Sequence, residues 1–120
     1  MSPDLQAKLI ADYPSLFRDI NAPITQSCMA FGCECGDGWE RLIREFCEAC
    51  KDDERVYFTQ IKEKLGRLCL YHVGTDESLD MEADLWQRSG GVCEECGSEE
   101  NVSQTEGWIT TLCADCMERN

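Results

Sequence analysis

The sequence contains no long apolar run. Among its 120 residues, no stretch approaches the roughly 18 to 20 consecutive apolar residues that a membrane helix needs. Residues 1–4 also lack the basic and apolar regions of a secretory signal peptide. We therefore expect a soluble cytoplasmic protein with no membrane partner. The length suits one compact domain and leaves no room for a second full one.

Basic residues are scarce. The chain carries 11 Lys and Arg against 24 Asp and Glu, which gives a formal net charge of −13 at pH 7. Residues 93–120 alone hold seven acids and a single base, Arg119. Because nucleic-acid affinity depends on neutralising phosphates with Lys and Arg, this composition disfavours direct binding of DNA or RNA. It favours a partner protein with a basic surface.

Histidine occurs once, at position 72. The zinc deaminase signature needs a His-x-Glu sequence, whereas His72 is followed by Val73 and Gly74. No Ser/His/Asp or Cys/His grouping can be assembled around it from the sequence. We predict that the chain is not an enzyme and has no catalytic residues. His72 is interpreted as a hydrogen-bonded residue of the core or of a sheet edge.

Cysteine, in contrast, is abundant, with ten residues. Four of them form two Cys-x-x-Cys pairs separated by sixteen residues, a spacing typical of a four-thiolate zinc site. The predicted ligands of one structural Zn²⁺ are Cys93, Cys96, Cys113 and Cys116. Four protein ligands leave no open position to activate water. A disulfide framework or redox-active thiols are the alternatives, and the lack of an export signal counts against the first.

The other six cysteines allow two interpretations. Four of them, Cys33, Cys35, Cys47 and Cys50, are candidates for a second zinc site, because the first two precede a predicted helix and the last two share one of its faces. Alternatively, Cys50 completes an apolar helix stripe and Cys69 packs within a strand, as buried free cysteines commonly do. The second interpretation is favoured. Cys28 receives no role.

Apolar periodicity predicts three helices in an α+β fold. The first covers residues 4–13 with Asp4 as N-cap, and the last covers residues 76–89. The clearest covers residues 37–53, where Asp37 can cap the helix and the flanking glycines allow a flexible approach. An anion-binding glycine turn is the alternative role for residues 36–39. The apolar stripe of this helix consists of Trp39, Ile43, Phe46 and Cys50.

Two β-rich runs, residues 55–62 and 67–73, predict an antiparallel hairpin with Gly66 in its turn. Both faces of the second run are largely apolar, so we expect the hairpin to be covered on both sides or extended by a third strand. A strand over residues 107–112 should deliver Cys113, and a helical turn should start near Cys116. The chain is thereby divided into an α+β core, residues 1–89, and a zinc ribbon packed on it, residues 90–120.

Four segments form a recognisable series along the chain. They are Tyr13-Pro14-Ser15-Leu16-Phe17, Cys35-Gly36-Asp37-Gly38-Trp39, residues 60–68 around Lys62-Glu63-Lys64, and residues 107–116 from Gly107-Trp108 to Cys116. Taken in order, they resemble a family of small uncharacterised proteins from phages and prophages. The resemblance implies a helix, a Cys-Gly-Asp-Gly-Trp segment, a Lys-Glu-Lys hairpin and a zinc ribbon, and it implies an accessory role in the host cytoplasm. It carries no established activity.

Two functions follow as hypotheses. The first is a phage accessory, host-takeover or anti-defence factor that binds a host or phage protein through its acidic surface, with nucleic-acid mimicry as one version. The second is a nucleic-acid-binding zinc ribbon that uses the basic residues of the central helix and hairpin. Those residues are Arg41, Arg44, Lys51, Arg55, Lys62, Lys64 and Arg67.

Overall fold

The computed structural model describes all 120 residues and confirms the α+β class. Four α-helices accompany a three-stranded sheet and a two-stranded sheet. None of the helices is long and apolar enough to cross a membrane. In chain order the elements are α1 Pro3–Asp12, β1 Cys33–Glu34, α2 Glu40–Cys50, β2 Tyr57–Lys64, β3 Arg67–Val73, α3 Asp76–Ser89, β4 Val102–Gln104, β5 Thr111–Cys113 and α4 Ala114–Arg119, with 3-10 turns at Cys28–Phe31 and Asp37–Trp39.

The β2–β3 hairpin is confirmed, but its turn is tighter than the sequence predicted. The strands continue through Lys64 and leave a two-residue loop, Leu65 and Gly66, with φ values of 52° and 79°. Two consecutive residues of positive φ match the right-handed twist of the flanking strands. Gly66 adopts this conformation freely, whereas Leu65 adopts it at a cost.

Strand β1 extends the hairpin into a three-stranded sheet, as expected. It pairs in parallel with β2, with Cys33 opposite Ile61 and Glu34 opposite Lys62. A parallel pair needs a crossover connection, which α2 supplies. The inner face of the sheet is covered, with Leu68 and Leu70 fully buried, whereas the outer face is covered only in part, since Cys69 is buried and Tyr71 is 38% exposed.

Both predicted N-caps are wrong. Helix α1 begins at Pro3 with Ser2 in the N-cap position, so Asp4 lies in its first turn. Asp37 makes no capping hydrogen bond, because a 3-10 turn precedes α2 and the helix proper begins at Glu40. The Asp37 carboxylate instead accepts a hydrogen bond from the Ser2 backbone N–H at 2.6 Å. Asp37 pairs with Ser2 because the fold brings the start of α1 next to the 3-10 turn that precedes α2.

The core contains the predicted stripe of α2 and a cluster of aromatic rings. Trp39, Ile43 and Phe46 are fully buried, and Cys50 is nearly so. The Phe58 ring lies 5.0 Å from that of Phe17 and 5.2 Å from that of Phe46, within the range of favourable aromatic pairs. These contacts join the loop after α1 and helix α2 to the inner face of the sheet.

His72 ties β3 to α3 and is a hydrogen-bonded core residue, as predicted. Its Nδ1 lies 2.8 Å from the Leu70 carbonyl oxygen and 3.1 Å from Glu82 Oε2. Its Nε2 lies 2.9 Å from Ser78 Oγ, and its ring packs at 4.9 Å against Phe46. The imidazole therefore has polar partners on both nitrogens and no free edge for chemistry.

His72 should make folding stability depend on pH. Burial alone lowers the pKa of His72, but the hydrogen bonds to Glu82 and to the Leu70 carbonyl outweigh it and raise the pKa above its ordinary value. The stabilisation is therefore complete below about pH 6.5 and is lost as pH rises through the folded pKa. We expect Glu82→Gln to lower the free energy of unfolding by about 1 kcal/mol at pH 6 and by less at pH 8.

Urea denaturation of both proteins at the two pH values measures this difference. Because both retain all ten cysteines, proton competition for the thiolates cancels in the comparison. An equal loss at pH 6 and pH 8 would show that Glu82 acts by packing and not by charge.

Candidate metal centre and its docking segment

The two Cys-x-x-Cys pairs converge, as predicted, on one site. The first pair follows α3, and the second lies at the end of β5 and in the first turn of α4. The sulfur atoms of Cys93, Cys96, Cys113 and Cys116 all lie within 4.8 Å of one another. No other group of three or more metal-ligating side chains is this close. These four cysteines can therefore hold one metal ion.

The dimensions of the site fit a tetrahedral ion. The Sγ atoms of Cys96 and Cys113 are 3.7 Å apart. Metal–sulfur bonds of about 2.3 Å in a tetrahedron place neighbouring sulfur atoms about 3.8 Å apart. All four donors are soft sulfur ligands, and all four positions come from the protein, so the geometry is that of a closed site.

Hydrogen-bond donors reach the cysteine sulfur atoms, but their net effect on ionisation differs between Cys93 and Cys116. Gly97, with a φ of 81°, allows the tight first turn, and the Cys116 N–H donates to Cys113 Sγ at 3.4 Å. Burial raises the pKa of Cys93, but backbone N–H donors outweigh it and lower the pKa to about 7. Burial raises the pKa of Cys116 to about 12, although Arg119 donates to its sulfur. Four thiols this close need a cation to ionise together.

The first pair of ligands docks onto residues 36–39, which we call the docking segment. The Gly38 N–H donates to the Glu94 carbonyl at 2.7 Å, and the Gly36 N–H donates to the Glu94 carboxylate at 2.9 Å. Trp39 Nε1 donates to the Val92 carbonyl at 2.8 Å. The indole of Trp39 thus packs in the hydrophobic core and also forms a hydrogen bond to the ribbon.

Close approach explains why the docking segment contains two glycines. A Cβ on Gly38 would lie 2.1 Å from the Cys93 carbonyl oxygen, and one on Gly36 would lie 2.4 Å from the Glu94 carbonyl oxygen. Both distances are far below van der Waals contact, so backbone would have to move. The sequence suggested a flexible approach and a cap. The function of these glycines is instead to let two backbones meet.

A second attachment joins the ribbon to the hairpin turn. The buried Thr111 donates through Oγ1 to the Gly66 carbonyl at 2.6 Å, and Gln104 Nε2 donates to Thr111 Oγ1 at 3.1 Å. The predicted strand over residues 107–112 is shorter than expected, since β5 begins at Thr111. The predicted final helical turn is present as α4.

The candidate second site is not assembled. Cys33, Cys35, Cys47 and Cys50 are buried in the hydrophobic core and do not form a close metal-ligating group. Burial raises the pKa of Cys33 to about 11 and raises those of Cys35 and Cys47 further. These thiols are therefore neutral near pH 7 and act as apolar side chains. Cys69 is also buried, whereas Cys28 is exposed.

The basic residues of the nucleic-acid hypothesis do not form a free surface. Four of the seven are paired with carboxylates: Arg41 with Glu99, Arg44 with Glu40 and Asp12, Lys51 with Glu48, and Arg55 with Asp53. Arg67 lies 4.8 Å from the Trp86 ring and donates to the Gln87 carbonyl at 2.7 Å. Only Lys62 and Lys64 keep side chains without an ion pair or hydrogen bond.

A cleft with acidic walls lies where the ribbon meets the hairpin, and sequence reasoning missed it. This acidic cleft has a volume of about 300 Å³, and its lining includes Glu63, Glu94, Glu95 and Trp108. Trp108 is 85% exposed in the loop between β4 and β5. Its backbone carbonyl accepts a hydrogen bond from Thr105 Oγ1 at 2.6 Å, so the loop is held while the indole is free.

The chain matches no protein-family model, no curated protein and no solved structure. The resemblance to phage and prophage proteins therefore stays a prediction. Three features of the chain bear on its function: the cysteine quartet, which consists of Cys93, Cys96, Cys113 and Cys116, the acidic cleft, and the distribution of charge.

Proposed function

We propose that this chain is a small zinc-binding protein that acts by binding another protein. The observation that carries the proposal is Trp108, a large ring exposed beside an acidic cleft. The Trp108 indole does not pack in the core, although hydrogen bonds hold its loop in place. A large aromatic side chain left exposed in this way is unusual in a protein that has no partner. Tryptophan is among the residues that dominate binding energy at protein interfaces.

Zinc is the ion that four thiolates in a closed tetrahedral site select, and its role here is structural. The ion would hold the ribbon together so that the β4–β5 loop presents Trp108 next to the hairpin. Because a cysteine would fill every ligand position, the ion would neither activate water nor polarise a substrate. This supports a binding protein over an enzyme.

The partner should present a basic segment. An Arg or Lys side chain entering the acidic cleft would meet the carboxylates of Glu63 and Glu95 and would lie against the face of Trp108. The acidic excess of the whole chain would speed the encounter with such a partner and make its rate sensitive to salt. The 68% exposed side chain of Leu65 shares a neighbouring cleft of about 310 Å³ with Trp108 and would add apolar contact.

We further propose, from the resemblance, that the chain is a phage accessory factor and that its partner is a host protein in the bacterial cytoplasm. Inhibition of a defence protein is one version of this role. If the partner's basic surface normally binds nucleic acid, the chain would act as a mimic of that nucleic acid.

Replacing Trp108 with alanine should weaken partner binding at least tenfold, because interface tryptophans commonly contribute about 2 kcal/mol or more. A partner captured from bacterial lysate at low salt would be purified and titrated calorimetrically against both proteins. The fold should be unaffected, since the ring is exposed.

Leu79→Ala is the matched control, because Leu79 is an exposed apolar side chain on α3. It should change the affinity less than twofold. Equal affinities for wild type and Trp108→Ala would exclude the acidic cleft as the binding surface. Duplex or single-stranded nucleic acid that is shifted in a gel at low salt would favour the nucleic-acid hypothesis.

A further inference from the structure

We propose that a groove on the outer face of the β2–β3 hairpin binds a compact phosphorylated organic anion, a ligand class outside the protein-binding function above. The groove lies between residues 24–28 and the outer face of the sheet and has a volume of about 530 Å³. Sites for small ligands usually have about 300 to 1,000 Å³. The side chains that carry the argument are Lys62, Lys64, Tyr71, Gln26 and Gln60.

The two lysines of the groove have no carboxylate partner in a chain that has a large excess of carboxylates. Every ion pair that the structure contains uses another cation or His72. No residue lining the groove is acidic. Glu34 lies opposite Lys62 in the sheet register but forms no ion pair with it. Two adjacent ammonium groups are thus left free to meet an anion.

The rest of the lining suits a ligand that has a ring as well as a charge. Tyr71 is partly exposed and lies opposite Gln60 on the neighbouring strand, so its ring forms part of the groove floor. Ile24 adds an exposed apolar side chain at the rim. The side-chain amides of Gln26 and Gln60 make no hydrogen bond within the protein and can bind ligand oxygens and nitrogens.

Charge outside the groove limits the size of the ligand. The whole chain has a formal net charge of −13, and the part of the chain that excludes Lys62 and Lys64 is more negative still. A long polyanion would leave the groove and meet this acidic surface, whereas a ligand with one phosphate would stay within reach of the two lysines. A phosphate joined to a flat ring meets both conditions, and a nucleoside monophosphate is the simplest probe.

The test is calorimetric titration of the metal-loaded protein at low salt with adenosine monophosphate, inorganic phosphate and adenosine. We expect the monophosphate to bind at millimolar concentrations or below, and each fragment to bind more weakly. Affinity should fall as sodium chloride is added. Lys62→Gln should weaken binding about three- to fivefold, and the double variant Lys62→Gln/Lys64→Gln about tenfold or more.

Lys8→Gln is the matched control for Lys62→Gln, because Lys8 is exposed on α1, makes no ion pair, and its loss changes the net charge equally. It should leave affinity within twofold. Cys28 provides a second measurement, since it is exposed and lines the groove, so bound ligand should slow its alkylation.

Three results would overturn the proposal. The first is no binding of the monophosphate at millimolar concentrations together with no protection of Cys28. The second is a loss of affinity in Lys8→Gln as large as in Lys62→Gln, which would mean that only net charge matters. The third is tighter binding of an oligonucleotide or an acidic peptide than of the monophosphate. Lys62 and Lys64 also line the cleft that Leu65 and Trp108 share. Partner affinity is therefore tested with Trp108→Ala and ligand affinity with the lysine variants, so either proposal can fail while the other stands.

Discussion

Replacing Cys96 or Cys116 with serine should reduce the metal content from one ion per chain to none and unfold residues 90–120. Structural zinc contributes apparent free energies of about 10 to 16 kcal/mol at neutral pH, which are folding free energies when no ordered site exists without the metal. The ribbon has a separate apolar cluster that consists of only four buried residues, three of them ligands. Packing of this size cannot replace the ion.

Elemental analysis measures the metal, and hydrogen exchange with mass spectrometry measures the unfolding. Exchange should rise throughout residues 90–120 and, because the docking contacts are lost, also at the amides of Gly36 and Gly38. The matched control is Cys69→Ser, which alters a buried cysteine outside the quartet and should retain one ion per chain. A serine variant of the quartet that keeps its ribbon protected from exchange would refute the structural role. Two ions in the wild type, falling to one in Cys47→Ser/Cys50→Ser, would show a second site.

Gly38→Ala should lower the free energy of unfolding by about 3 kcal/mol while leaving metal content at one ion per chain. The added Cβ would lie 2.1 Å from the Cys93 carbonyl oxygen and 2.5 Å from the Gly97 nitrogen, both of them backbone atoms near the metal ligands. Since backbone cannot yield as a flexible side chain does, the ribbon must shift away from the core. The hydrogen bond from Trp39 Nε1 to the Val92 carbonyl should be lost as well.

Denaturant titration measures the change in stability. The difference in tryptophan fluorescence between Gly38→Ala and wild type measures the change at Trp39, because Trp86 and Trp108 are present in both proteins. Gly91→Ala is the control, because a Cβ there would have its nearest neighbour, the Arg88 carbonyl oxygen, at an ordinary 3.6 Å. It should change stability by less than about 1 kcal/mol. If Gly38→Ala were no more destabilising than Gly91→Ala, the packing of ribbon on core would be looser than the structure describes. Loss of the metal in Gly38→Ala would show that docking and metal binding are a single event.

The parts of the structure that were predicted correctly depend on short-range pattern. The cysteine quartet follows from two local spacings, and the buried stripe of α2 follows from the helical period between Trp39 and Cys50. The hairpin follows from two β-rich runs around Gly66. In each case the pattern that decides the outcome is a spacing of a few positions, repeated along the segment or, for the cysteines, in two pairs sixteen residues apart.

The errors occur where distant segments meet. Asp37 is a good N-cap by type, yet it pairs with Ser2, 35 positions away in the sequence. Glycine at positions 36 and 38 predicts a flexible segment, yet glycine is needed there because the backbone of residues 93–97 packs closely against both positions. The acidic cleft brings Glu63 of the hairpin next to Glu95 and Trp108 of the ribbon. No pattern within a single segment of the sequence predicts that these residues meet.

The parallel pairing of β1 with β2 sets an order for folding. The hairpin can form from neighbouring residues, but β1 can join it only after the intervening chain has folded over as α2, which closes a loop of more than twenty residues. The docking segment lies inside that loop, between β1 and α2. We therefore expect the surface that receives the ribbon to be completed late, after the sheet, and the C-terminal ribbon to attach as the last step of folding.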